Sequence, residues 1–387
     1  MKPKILLITN LYPKTTEHSV TDATRALHNF ATCWSKSAVV MVIRPKLRVN
    51  LRNFSASNLF SRSVRNEIDG ISVHSLTYMH MPRMRIFMHN SFLKILARES
   101  FVPDIIISHR ISHSFIGDRL STLLSVPHIV GVHGSCLLKI HLYRDILSRA
   151  DHIACRSLAI KRRFLEKLPE FGYKVFVANS GIDKDKILAK SGFVKKSFLS
   201  NNKTLKLISV CNLIPLKHID IVLRALSDFS NNTNWHYTII GDGPERASLE
   251  GLVKSLSIDD KVTFMGYIEN SHIYKYLDES DVFVMISSPE TFGLAYLEAM
   301  ARCNIVIGTK GWGIDGIVID GVNGYLCEEI SAKNLMNKII KLMAMPSAEH
   351  VKMMNHICKT VNDYTDEEMS QVYLKVIEQC IQGCNSE

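Results

Sequence analysis

The chain has 387 residues, 46% hydrophobic and 22% charged, values that exclude long disorder, collagen-like and mucin-like architectures and allow two domains. Nine cysteines, with no CxxC pair and no Cys/His cluster at zinc spacing, argue against a disulfide framework and for a reducing compartment. The net charge of +10 is unevenly held: residues 1–180 carry 26 Lys and Arg against 11 Asp and Glu, residues 181–387 carry 21 against 26.

Met1-Lys2-Pro3-Lys4 leads into only Ile5-Leu6-Leu7-Ile8, too short for a signal peptide and suited to a first buried strand. No window reaches the roughly 18 apolar residues of a spanning helix. The expectation is a cytoplasmic protein, soluble or peripheral at the cytoplasmic face of the membrane. Further strands are predicted at Ala38–Ile43, Ile71–Leu76, Asp104–Ser108, Pro127–Val132, His152–Cys155 and Val175–Ala178, with helices between them such as Thr21–Ser35 and Ser157–Leu168. Strand–helix alternation predicts a parallel sheet covered on both faces.

The basic stretch Arg44, Lys46, Arg48, Arg52, Arg62 and Arg65 is followed by Arg83 and Arg85 and the apolar segment Ile86–Leu96. Two readings stand here: a helix in lipid headgroups, giving contact with an anionic membrane, or a core helix with a solvated basic edge. Nucleic acid is not expected, because no zinc-finger spacing or aromatic RNA-binding signature accompanies the charge.

A polar stretch through Lys195 to Lys203 is the linker candidate. The predicted organisation is an N-terminal domain over 1–185, a linker over 186–204, a second domain over 205–362, and a C-terminal helix over 363–387 packing back towards the first domain. In the second half, strands are predicted at Leu205–Val210, Trp235–Ile240, Lys261–Phe264, Val282–Ile286, Ile305–Gly308 and Gly324–Cys327. Two α/β domains in series predict a ligand cleft at the carboxyl ends of the strands.

Three motifs carry the chemistry. Asn212-Leu213-Ile214-Pro215-Leu216-Lys217 places a lysine at a helix entry, where it can meet a phosphate. Gly241-Asp242-Gly243-Pro244 is a tight strand exit with Pro244 expected as the first residue of a helix. Glu290-Thr291-Phe292-Gly293-Leu294 precedes a helix, expected to start near Phe292 or Gly293, that carries Glu298; free amides at such a start suit an anion.

Taken together, the N-L-x-x-x-K loop, G-D-G-P and E-x7-E resemble family 4 of the retaining, nucleotide-sugar-dependent glycosyltransferases. Val262–Tyr267, Glu298–Ala301 and Asp320–Leu326 extend the resemblance, Asn179–Asp183 is similar to the family's domain-junction motif, and His133-Gly134 to its active-site histidine. The resemblance implies the α/β GT-B architecture of two Rossmann-like doubly wound domains facing across a cleft. It implies that Glu290 holds donor-sugar hydroxyls, that Thr291, Phe292, Gly293 and Leu294 hold the distal phosphate through their backbone, and that Glu298 grips the ribose. Lys217 would neutralise the diphosphate, Tyr267 and Ile268 line the base, Asn212 and Gly241 complete the donor site, and His133 approaches the transferred sugar. Asn212 stands where many members have arginine, and Gly311-Trp312-Gly313-Ile314-Asp315-Gly316 replaces the usual G-G-x-x-E. The expected partners are a nucleotide sugar and a saccharide or lipid-linked acceptor, in cell-envelope polysaccharide or lipopolysaccharide synthesis, with no cofactor and no metal. A nucleotide-sugar epimerase and a non-catalytic polyanion- or membrane-binding protein are the competing readings.

Overall fold

In a computed structural model, the structure describes residues 2–13, 25–47, 62–78, 85–189, 191–192, 204–229 and 234–384. The chain forms two units. The first comprises Met1–Arg156, Ile160–Asn179 and Asp366–Glu387, and the second Ser157–Ala159 and Ser180–Thr365.

The first unit holds an eight-stranded sheet: β1 (Lys4–Ile8), β2 (Val39–Leu47), β3 (Arg62–Ile68), β4 (Ile71–Tyr78), β5 (Ile105–His109), β6 (His128–Val132), β7 (His152–Cys155) and β8 (Val175–Val177). Their spatial order is β3-β4-β2-β1-β5-β6-β7-β8. All neighbours run parallel except β3 against β4. Ile5–Ile8 and Ile105–Ile107 are completely buried, as expected of strands covered on both faces.

One face of this sheet is covered by the helices Arg25–Ser35 and Asp366–Cys384. Leu27, Phe30, Ala31 and Trp34 pack there with Tyr373, Leu374, Ile377 and Cys380. On the other face Phe92, Ile95 and Leu96 of the helix Arg85–Arg98 pack with Ile116 and Leu120. Burial of those three residues removes this half of the segment from any headgroup contact and fits the core-helix reading. Arg44 is buried too and donates to Ser75. Arg48, Arg52 and Arg83 lie outside the described residues.

Strand β3 is an element that hydrophobic patterning does not predict. Its sequence, Arg-Ser-Val-Arg-Asn-Glu-Ile, is polar because it is an edge. The two-residue Asp69-Gly70 turn that pairs Ile68 with Ile71 was the available signal.

The second unit contains β9 (Leu205–Val210), β10 (Trp235–Ile240), β11 (Val262–Gly266), β12 (Val282–Val284), β13 (Ile305–Thr309) and β14 (Tyr325–Cys327), all parallel, in the order β11-β10-β9-β12-β13-β14. Counted from β9 this is 3-2-1-4-5-6, the order of a Rossmann fold. The apolar faces of Ile219–Ser227, Arg246–Ser255, Leu294–Ala301 and Ala332–Met343 close its core. Pro244 lies in a turn and the helix begins at Arg246, a correction of two residues.

Each sheet reverses its winding once, between β1 and β5 and between β9 and β12. Neighbouring loops diverge at such a point and leave a crevice at the carboxyl ends of the strands.

Candidate active site

In the second unit, the loops flanking the reversal follow β9 and β12. The first leads through Cys211 into the short turn Pro215–Lys217, the second through Met285 to Glu290. They are tied together by Ser288 N donating to the Leu216 carbonyl at 3.0 Å. Lys217 Nζ thereby meets Glu290 Oε2 at 2.6 Å, with the side chains 18% and 15% exposed. The same carboxylate accepts from Ser287 Oγ at 3.2 Å and from the Thr291 amide at 3.0 Å. Gly313 N donates to the Glu290 carbonyl at 3.0 Å, so the loop after β13 fixes the backbone as well. The carboxylate is oriented before any ligand arrives.

Four residues after Glu290 the helix Leu294–Ala301 begins, one or two positions after the expected start near Phe292 or Gly293. Gly293 stands at its N-terminus with φ 79°, and a β-carbon there would lie 2.6 Å from the Tyr296 ring. The left-handed backbone and the ring both require glycine. The Tyr296 hydroxyl donates to the Met285 carbonyl, and burial holds its pKa far above the ordinary value, so the phenol remains a donor. No side chain caps this helix, which leaves its positive end open to an anion beside Lys217.

Thr291 and Leu294 are half-buried, whereas Phe292 is in the core and can offer only its backbone. Glu298 is half-buried on the same helix. Asn212 is exposed on the β9 loop. Gly241 has φ 130°, and a β-carbon on it would lie 1.8 Å from the Cys211 carbonyl oxygen. Its conformation therefore serves the close approach of the β9 and β10 loops. Tyr267, 59% exposed, and half-buried Ile268 follow β11 at the same carboxyl-terminal edge. Burial pushes the Cys211 thiol up to about 12, with Lys217 acting the other way and Glu290 adding to the rise, which disfavours the thiolate.

His133 belongs to the first unit, where it follows β6. Its Nε2 is 3.2 Å from Nδ1 of His109, the last residue of β5, and His109 Nε2 is 3.3 Å from the Tyr373 hydroxyl. Burial, then Arg156, then Arg110 lower the His133 pKa to about 3. His109 is lowered by burial, His133 and Arg156. Both imidazoles are neutral at physiological pH, so their shared hydrogen bond couples their tautomers. Arg156 is buried, stacks on Phe30 with its guanidinium carbon 5.1 Å from the ring centroid, and is lowered to about 10 by burial.

The predicted Lys217, Glu290 and Thr291–Leu294 are thus brought together in the second unit, with Tyr267, Ile268, Asn212 and Gly241 on loops of the same sheet edge. Ser287, His109, Arg110, Arg156 and Tyr373 are not singled out by the sequence, and Gly313 stands out there only within a stretch that departs from the family pattern. His109 and Arg156 had one available signal, their position at strand ends; Tyr373, on a distant helix, had none. Among the described residues no three His, Cys, Asp or Glu side chains cluster as metal ligands, and no helix is long and apolar enough to cross a membrane.

The fold is that of the GT-B glycosyltransferases, and in sequence the chain is similar to glycosyltransferases. Residues 191–359, within the second unit, match the family model described as glycosyl transferases group 1. An uncharacterized glycosyltransferase of Methanocaldococcus jannaschii is 25% identical over 289 residues, covering 72% of this chain and 76% of its own. The amylovoran biosynthesis glycosyltransferase of Erwinia amylovora is 25% identical over 260 residues, covering 63% of this chain and 62% of its own. The crystal structure of HepE from Anabaena in complex with UDP superposes with a TM-score of 0.71 at 16% identity, over 97% of this chain and 100% of the other, a likeness of fold.

Proposed function

We propose that the protein is a retaining hexosyltransferase that moves a sugar from a nucleotide diphosphate to a saccharide or lipid-linked acceptor in cell-envelope polysaccharide synthesis. The observation that carries this reading is the Lys217–Glu290 pair at the β9/β12 reversal, beside an uncapped helix start. Sugar transfer puts positive charge on the ring and negative charge on the departing diphosphate, so a cation and helix amides belong at the diphosphate and a carboxylate at the sugar. In this reading Lys217 and the Thr291–Leu294 backbone hold the phosphates, Glu290 the sugar hydroxyls, Glu298 the ribose, Tyr267 and Ile268 the base. Asn212 and Gly241 border the donor, and neutral His133 serves as a hydrogen-bonding group at the transferred sugar. The charge work falls to these groups without a metal.

The amylovoran relative supports an envelope product. Peripheral contact with an anionic membrane is part of the proposal, through the basic first unit: Leu138 and Leu142 are 82% and 67% exposed near exposed Lys139. The deciding experiment incubates the purified chain with UDP-, GDP- and ADP-linked hexoses and envelope lipid extract. Acceptor-dependent release of nucleoside diphosphate that persists in EDTA is expected. Binding without release from any donor would leave the non-catalytic reading in its place.

A further inference from the structure

The crevice at the β1/β5 reversal of the first unit has its own chemistry. Asn10 follows β1, and Arg110 follows β5. Arg110 has φ 77° and ψ 114°, a conformation that residues with a β-carbon rarely adopt. Such strain is kept where the surroundings hold it for a purpose. Three exposed arginines of this unit pair with carboxylates: Arg149 with Asp118, Arg144 with Glu170, Arg65 with Glu99. Arg110 is exposed, and no carboxylate pairs with it among the described residues. Its one hydrogen bond there goes to the neutral side-chain oxygen of Asn10 at 3.4 Å, which leaves most of its five N–H donors uncommitted. Its charge is felt by His113 and by His133, both held neutral by burial. Among the described residues this edge therefore carries an unpaired positive charge, with a planar donor fork and a neutral imidazole beside it.

We propose that Arg110, with Asn10 and His133 beside it, forms an oxyanion-binding subsite that takes a phosphate or carboxylate group of the acceptor. The assignment rests on the proposed glycosyltransferase function, in which His133 of the first unit serves the transferred sugar and the acceptor must reach that same sugar. A guanidinium suits this role because its fork matches either anion in a bidentate arrangement. The subsite is distinct from the donor diphosphate site at Lys217, which the second unit supplies.

The test uses the whole chain with ring-15N-labelled histidine, the His133 signal being identified by its loss in His133→Asn. Inorganic phosphate and acetate are titrated separately at constant ionic strength, and UDP, GDP and ADP binding is measured in parallel. At least one anion should shift the His133 signal saturably. A response to phosphate alone assigns a phosphate group, and an equal response to acetate extends the subsite to carboxylates. Arg110→Gln should weaken that response about tenfold while leaving nucleotide affinity unchanged. Arg110→Gly removes the side chain and relieves the backbone, so it should lose the anion response yet unfold at the parent temperature or higher. No saturable shift with either anion, or an unaltered response in Arg110→Gln, overturns the proposal. An Arg110-dependent response in a chain that binds none of the nucleotides would uphold the subsite and refute the donor reading instead.

Discussion

Replacing Glu290 by Gln keeps the side chain's size and one acceptor oxygen while removing the charge opposite Lys217. Two unit charges about 4 Å apart attract by roughly 4 kcal/mol at an effective dielectric of about 20. Dehydration offsets much of that, so a hydrogen bond between charged groups contributes about 1.5–3 kcal/mol net. The 2.6 Å contact is held at 18% and 15% exposure, which limits solvent screening and favours the middle of that range. Glu290→Gln should therefore lower stability by about 2 kcal/mol, and Lys217→Gln by a similar amount. The double variant should cost clearly less than the two single losses added together, because neither charge is then stranded. Urea unfolding of the four proteins measures the coupling. In turnover, Glu290→Gln should keep nucleoside diphosphate affinity within a few-fold and lower kcat by on the order of 10²-fold, roughly 3 kcal/mol of barrier. Single losses that simply add, to within about 0.5 kcal/mol, would show the ion pair to be unimportant. Parental turnover in Glu290→Gln would remove the carboxylate from the reaction altogether.

Glu298→Ala should mainly raise the donor KM and leave kcat near the parent, since a ribose contact is equally strong before and during bond breaking; initial rates at varied donor concentration decide it. Gly293→Ala should destabilise by about 1–3 kcal/mol, through the positive φ and the collision with Tyr296, measurable as a lower unfolding midpoint. Acid should weaken the fold through His113 and His128, whose pKa values burial lowers to about 4. Because the unfolded chain takes up protons first, stability is full above about pH 6.5 and falls as pH drops towards 4, by on the order of 1.4 kcal/mol per pH unit per group. His128→Gln should flatten part of that slope in urea unfolding at pH 7 and pH 5; an unchanged slope would refute the assignment.

Much of the strand framework could be read from apolar runs such as Ile105-Ile106-Ile107, because parallel strands buried on both faces leave no polar alternation to confuse the signal. Polar β3 escaped, since an edge strand is shaped by its hairpin turn and not by burial. Lys217 and Glu290 were legible as motif positions, yet their direct contact was not: it depends on two loops 73 residues apart meeting at a reversal of strand order. The His133–His109–Tyr373 chain was hidden for the same reason, 264 residues separating its last two members. Side-chain chemistry is written locally, whereas hydrogen-bond partners are chosen by topology.

The helix Asp366–Cys384 carries a consequence for biosynthesis. It supplies Tyr373, whose ring packs edge-on to Trp34 and Phe30 with centroids 5.1 and 5.4 Å away, and Trp34 Nε1 donates to the Ser370 carbonyl. On the ribosome, the strands of the first unit emerge well before this helix, and they wait with Phe30 and Trp34 uncovered while the whole of Ser180–Thr365 is made. The later-synthesised unit can finish its core first, so the order of maturation runs opposite to the order of translation. An early stop anywhere before Asp366 would strand the half that was made first, and chaperone demand should concentrate on that exposed aromatic face.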